Sequence, residues 1–285
     1  MKKLVIILAC LLFLAIASVV LIVDPFALNL PPFHKKSVKV DRQVSRIVLD
    51  ISDMQTIVSV SKKNRVETHV TGKVSVSVKN VDHTVFVQVR RPFFNFGNHE
   101  RPSRVRILIP KSFHKDFEVR NKSANFYYEG SAHHQVFRKV RLNVASGTFY
   151  LRDVDTQSFQ ASLESGHLDL NEIHSPAARF NVHSGRMRVM VFTGAFSSQV
   201  DYGLLWVSVE QLTAPLQVGV NYGVTQLHLP GDLGFRLNGK VSKGIIHSDL
   251  PLTNSQNANG VVSGVHWFDK YQINANVKGG LLRIY

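Results

Sequence analysis

Apolar and polar residues alternate along most of this chain. "RIVLDI" (46–51), "TIVSVS" (56–61), "KVSVSVKN" (73–80), "HTVFVQVR" (83–90) and "RVRILIP" (104–110) keep a period of two and are rich in β-branched residues. Successive side chains of a strand point to opposite faces, so this pattern predicts half-buried strands. After residue 23, no stretch holds a 3.6-residue period for ten residues. "RPFFNFGNHERP" (91–102) breaks the alternation and predicts an exposed loop. "DPFALNLPPFHKK" (24–36), with three prolines, predicts an extended linker.

The second half repeats. Gly147, Gly166, Gly185, Gly203 and Gly223 follow one another at intervals of 19, 19, 18 and 20. Ser146, Ser165 and Ser184 precede the first three, and Tyr202 and Tyr222 the last two. Apolar residues stand in register three positions before each glycine (Val144, Leu163, Val182, Val200, Val220) and four after it (Leu151, Leu170, Val189, Val207, Leu227). "NKSANFYYEG", "VSKGIIHSDLP" and "NVKGGLLRIY" extend the pattern to both sides. Core positions are odd offsets before the glycine and even offsets after it. A straight strand keeps one parity, so the switch predicts a bend whose unusual dihedrals glycine supplies. A 19-residue unit is too short for a helix-containing repeat, and stacked β-coils bury their faces only against neighbours. The expected fold is therefore all-β, a β-solenoid-like repeat. A sandwich of meandering hairpins is the alternative.

The beginning of the chain differs. "MKK" precedes Leu4 to Val23, twenty residues without a charge. As a helix this run spans roughly 30 Å, the thickness of a bilayer core. Lysines before it place the N-terminus in the cytoplasm and the bulk of the chain outside. A cleaved signal peptide is the rival, with "AIAS" (15–18) as its cleavage site, but "VVLIV" follows directly. The expected organisation is a transmembrane anchor at 1–23, a linker at 24–43, a basic β region at 44–141 and the repeat region at 142–285. The expected location is the cell membrane, single-pass. Cys10, the one cysteine, lies in the anchor, which leaves the remainder no disulfide, cysteine-based zinc site or cysteine nucleophile.

Charge sharpens the division. The chain carries 34 Lys+Arg against 20 Asp+Glu. Residues 33–141 hold 22 basic and 9 acidic residues, and residues 142–285 hold 10 of each. The candidate contacts to an anionic membrane surface or envelope polymer are Lys35, Lys36, Lys39, Lys62, Lys63, Arg65, Arg90, Arg91, Arg101, Arg104 and Arg106. Phe93, Phe94 and Phe96 lie between basic residues, in a loop that either dips into a lipid interface or caps the stack. Basic and aromatic residues in alternation also suit single-stranded nucleic acid, but the external location argues against that partner.

The anchor followed by Ser-Gly-centred strand repeats resembles a bacterial β-strand-repeat family of unestablished function whose members carry an adhesin label. The resemblance covers about residues 44–285. It implies a solenoid-like domain outside the membrane, without a catalytic motif or cofactor. The arrangement is also similar to membrane-anchored members associated with a cell-envelope stress system of Gram-positive bacteria. That implies membrane proteins of such a system as partners.

Sites of chemistry are few. His183-Ser184 looks like half of a catalytic dyad, but the histidine does not recur: Ala145, Glu164, Asp201 and Asn221 replace it. The serine instead reads as a corner residue bonding the backbone of the turn. Thirteen histidines include no metal-binding motif, and His133-His134 is the densest pair. The exposed column three residues after each glycine reads Tyr150, Asp169, Arg188, Trp206, Gln226 and pairs no two acids. Asp153 and Asp155 are the best candidates for an enzyme acting on envelope polysaccharide. The expected function is a non-enzymatic envelope interaction module, with that enzyme, or a structural stalk or adhesin, as alternatives.

Overall fold

In the computed structural model, residues 34–72, 74–91, 103–130 and 135–285 are described. Every regular element among them is a strand. In chain order they are β1 (His34–Lys39), β2 (Arg46–Ile51), β3 (Gln55–Ser61), β4 (Arg65–Thr71), β5 (Ser75–Val81), β6 (Thr84–Arg90), β7 (Arg104–Pro110), β8 (Asp116–Asn121), β9 (Asn125–Glu129), β10 (Gln135–Val144) and β11 (Thr148–Leu163). There follow β12 (His167–Val182), β13 (Arg186–Val200), β14 (Leu204–Leu212), β15 (Leu216–Val220), β16 (Val224–His228), β17 (Phe235–Val241), β18 (Ile245–Ser248), β19 (Thr253–Ala258), β20 (Val261–His266), β21 (Tyr271–Val277) and β22 (Leu281–Ile284). No helix among the described residues is long and apolar enough to cross a membrane; Leu4 to Val23 lies outside them. The expected loop with Phe93, Phe94, Phe96 and Arg101 also lies outside them. Within the stretch expected as linker, His34–Lys39 forms β1, which pairs with β4.

The middle of the molecule is a parallel stack. Phe149 lies beside Leu168, and Leu168 beside Met187, so neighbours in space are 19 residues apart in sequence. Each corner divides the coil between two faces. On one face run β9, β11, β12, β13, β14 and β16, and on the other β8, β10, β11, β12, β13 and β15. The expected core positions are buried at every corner, including Val144, Leu163, Val182, Val200 and Val220. Phenylalanines fill the interior, with Phe126 stacked on Phe149 at 4.2 Å and Phe117 on Phe137 at 5.1 Å. Part of the irregular spacing is absorbed by a register shift between β12 and β13. One residue is lost where Ser175–Ala178 faces Gly194–Phe196, and the neighbour offset rises to 20 at Ser197 and Gln217.

A second series of bends follows the corners, at residues that are not glycine. Asp153, Glu172 and Val191 all have left-handed backbones, with φ of 60°, 53° and 56°. They stand six residues after Gly147, Gly166 and Gly185, where "LRDVD" and its equivalents leave the first face.

The stack does not follow chain order at either end. The β2–β3 coil lies between β6–β7 and β8–β9, parallel to both. The β21–β22 coil likewise lies between β15–β16 and β17–β18. "NVKGGLLRIY" comes after "VSKGIIHSDLP" in sequence but is inserted before it in the stack. Ile47, Leu49 and Ile51, and Ile273, Val277 and Leu282, are fully buried as a result. Antiparallel strands cover the outer coils: β5 on β6, β4 on β7, and the β19–β20 hairpin on β17. Such cover removes long parallel edges open to another chain.

Candidate functional site

The cations of the N-terminal region fall into two groups. Lys35, Lys63 and Arg65 converge on the buried carboxylate of Glu67, at 3.3, 3.5 and 3.7 Å, and His69 joins at 3.6 Å. Burial raises the Glu67 pKa, but hydrogen bonding and charge from Lys35, with Lys63 and His69, outweigh it and hold the group below its ordinary value. Three cations around one carboxylate leave this cluster with an excess of two positive charges. Arg90 is committed elsewhere, bridging the Asp50 carboxylate and the Ser52 hydroxyl. Lys36 donates to the Val76 carbonyl.

The second group consists of Lys39, Lys62, Arg91, Arg104 and Arg106, all exposed. None has an acidic partner among the described residues. Arg104 and Arg106 point to one face of β7, and their neighbours on β4 are Thr71 and His69. Alternation along β7 sends Val105 and Ile107 to the core and its arginines outward. The sequence alone did not separate these free cations from Lys35, Lys63, Arg65 and Arg90, because Glu67 and Asp50 are brought to them by strand pairing.

The corner serines are structural. Ser146, Ser165 and Ser184 donate their hydroxyls to Lys122 O, Ala145 O and Glu164 O, at 2.7, 2.8 and 2.8 Å. The partner is the carbonyl of the adjacent coil, which corrects the expectation of a bond within the turn. His183 instead meets Asp201 at 3.2 Å, and Asn221 also donates to that carboxylate. The hydrogen bond from His183, with those from Asn221 and Gln199, holds the Asp201 pKa below its ordinary value against the effect of burial.

The glycines are also placed differently from expectation. Gly147, Gly166 and Gly185 have left-handed backbones, but Gly203 and Gly223 do not. A Cβ at Gly203 would meet Gly185 O and Val182 Cγ1, each at 2.6 Å. Space rather than dihedral angle requires glycine there.

The column Tyr150, Asp169, Arg188, Trp206, Gln226 is assembled as expected. Several of its members are engaged by neighbouring side chains. Tyr127 stacks on Tyr150 at 5.0 Å, and the Arg188 guanidinium lies 5.2 Å from the Trp206 ring centre. Asp169 accepts from His167 at 3.1 Å. Asp153 lies 3.6 Å from Arg152, and Asp155 lies 2.8 Å from His174. No three His, Cys, Asp or Glu residues among those described form a metal-holding group, and His133-His134 lies outside them.

One groove had no counterpart in the sequence reading. It has a volume of about 640 Å³ on the face of β15, β21 and β17 and is walled by Gln199, Gln217, Asn238, Asn274, Asn276 and Lys240. Insertion of β21 brings these side chains together, so no local spacing announces them.

No curated protein matches the chain. A solved structure of a "putative adhesin" from Parabacteroides distasonis is 12% identical, with a TM-score of 0.56, over 89% of this chain and 97% of that one. Another from Parabacteroides merdae is 13% identical, with a TM-score of 0.42, over 90% and 97%. A third from Bacteroides fragilis is 11% identical, with a TM-score of 0.39, over 90% and 98%. At 12% identity the first of these is a likeness of fold alone. The family model described as Toastrack DUF4097 matches residues 41–284, nearly the whole described structure. This all-β chain of stacked, Gly-cornered coils therefore belongs to the Toastrack DUF4097 family.

Proposed function

We propose that this chain is a membrane-anchored, extracytoplasmic interaction module of the cell envelope, and that its cationic N-terminal region contacts an anionic lipid surface or polymer. The observation that carries this reading is the set of exposed cations without acidic partners among the described residues: Lys39, Lys62, Arg91, Arg104 and Arg106. The Glu67 cluster adds to their field. Each well-placed cation is worth up to about 1 kcal/mol near an anionic surface, and salt screens it over about 10 Å. The adhesin label of the Parabacteroides distasonis structure favours a binding role over a catalytic one. Anchoring by Leu4 to Val23 puts this region next to the membrane. Membrane proteins of an envelope stress system are the proposed protein partners.

The test uses the compact unit Lys35–Tyr285, expressed from residue 33. It is co-sedimented with vesicles of neutral or anionic lipid, and separately with a soluble poly(glycerol phosphate). Binding to anionic vesicles that falls with salt, and is weakened by Arg104→Glu with Arg106→Glu, supports the lipid source. Binding to the polymer alone assigns the polymer. Equal binding to neutral and anionic vesicles at low salt, without polymer binding, overturns the proposal. For the rival enzyme, no turnover of envelope polysaccharide by the wild type ends that reading. Turnover lost on Asp153→Ala with Asp155→Ala supports it.

A further inference from the structure

The groove on β15, β21 and β17 is an ordered surface. Two rows of side chains cross the strands. One row runs Ser197, Gln217, Asn274, Asn238, Ser263, and the other Gln199, Gly219, Asn276, Lys240. Members of a row are one strand apart, about 4.8 Å. Five of the side chains are amides, each offering both donors and an acceptor. Asn238 donates its side-chain amide to Asn274 Oδ1 at 3.2 Å, which links two members of the row. Lys240 is the only charged residue in the lining, and no carboxylate or aromatic ring belongs to it.

Gly219 makes room in the floor. A Cβ there would run into the Gln199 side-chain amide, so the absent side chain is what lets Gln199 lie across β15 within the floor. Gly219 has no left-handed backbone, and no turn demands glycine at this mid-strand position.

The chemistry narrows the occupant. An extended peptide adds to a sheet by pairing with an open backbone edge. Here β15, β21 and β17 each have strands on both sides, so no edge is available. Nucleic acid needs many phosphate-neutralising cations, and the groove has one. A polymer rich in hydroxyl and acetamido groups uses amide donors and acceptors together. A pyranose unit is also similar in length to the gap between strands. We infer that this groove binds an uncharged glycan strand lying across the strands, with Gln217, Asn274 and Asn238 as its hydrogen-bonding row and Gly219 as its floor. The site is separate from the cationic region and does not depend on the reading given for it.

The test is calorimetric titration of the full chain, in mild detergent, with the neutral hexamer of β-1,4-linked N-acetylglucosamine. Binding is expected below about 1 mM, with little change between about 50 and 500 mM salt. Gly219→Phe, which fills the floor, and Gln217→Ala with Asn274→Ala, which shortens the row, should each weaken binding about tenfold or more. Asn143→Ala, on the same sheet but in a distant coil, should leave it unchanged. Thermal melting confirms that each variant is folded, and Gln217→Ala alone serves if Gly219→Phe is not. Absence of binding at millimolar hexamer overturns the inference. So does wild-type affinity in folded groove variants, or binding confined to an acidic glycan such as hyaluronate.

Discussion

At Gly147, Gly166 and Gly185 the backbone is left-handed, with φ of 87°, 89° and 85°, whereas at Gly203 and Gly223 it is not. The residue before the glycine changes with it. Serines at the first three corners add a hydroxyl bond to the adjacent coil. Tyr202 and Tyr222 have no such bond, and their exposed rings stack on each other at 5.6 Å and 9°. Two things are common to both kinds. The amide of residue 165, 184, 202 or 222 donates to the preceding coil, as does the amide just after each glycine from Gly166 onward. A Cβ would also strike the coil before: at Gly147 and Gly185 it would lie 2.5 Å from Ala124 O and Gly166 O, and at Gly203 2.6 Å from Gly185 O. The close approach of adjacent backbones is the constant requirement. The left-handed dihedral and the serine bond are local additions.

This comparison can be broken by mutation. Gly185→Ala combines a left-handed alanine with a steric clash and should cost about 3 kcal/mol in urea unfolding. Gly203→Ala meets the clash without the dihedral penalty and should cost about 2 kcal/mol. Equal losses at the two sites would show that the dihedral contributes nothing. Ser184→Ala should cost about 1 kcal/mol, the net worth of its hydroxyl bond. A double-mutant cycle with Tyr202→Ala should be nearly additive, because of the two side chains only the serine's bonds a carbonyl of the adjacent coil.

The smallest effect is expected from pH. Asp201, at the fourth corner, has its pKa lowered from an ordinary value of 3.8. Its contribution is complete above that unfolded value and disappears as pH falls through the lower folded one. Asp201→Asn should therefore flatten the fall of the urea midpoint below about pH 4. Its partial exposure keeps the change modest.

Much of the architecture was legible because burial writes itself into the chain twice, as period two along strands and as period 19 between coils. "RIVLDI" and "RVRILIP" match β2 and β7 residue for residue. β4 was less visible, since its "RVETHVT" buries Glu67 and Thr68 beside Val66 and Val70. β19 is exposed along its length, so "TNSQNA" carries no apolar face to detect. The order of coils was hidden for another reason. Every coil presents the same apolar pattern to both neighbours, so β22 fits beside β16 as well as β18 would. The amide groove was hidden by the same ambiguity, because Asn274 reaches Gln217 and Asn238 only through the insertion of β21. The aromatic and charged column was legible, since it lies in coils that do follow chain order.

The inserted coil also constrains assembly in time. Residues 235–248 are synthesised before 271–284, yet their final seat is on the far side of that later segment. They cannot dock directly on the growing stack as each earlier coil does. Until 271–284 arrives, the open edges of β15 and β16 must stay unpaired or accept β17 and β18 in its place. A chain built this way has a late, long-range closing step, where non-local pairing makes folding slow. That interval is the one in which a chaperone or a second chain would find an open edge.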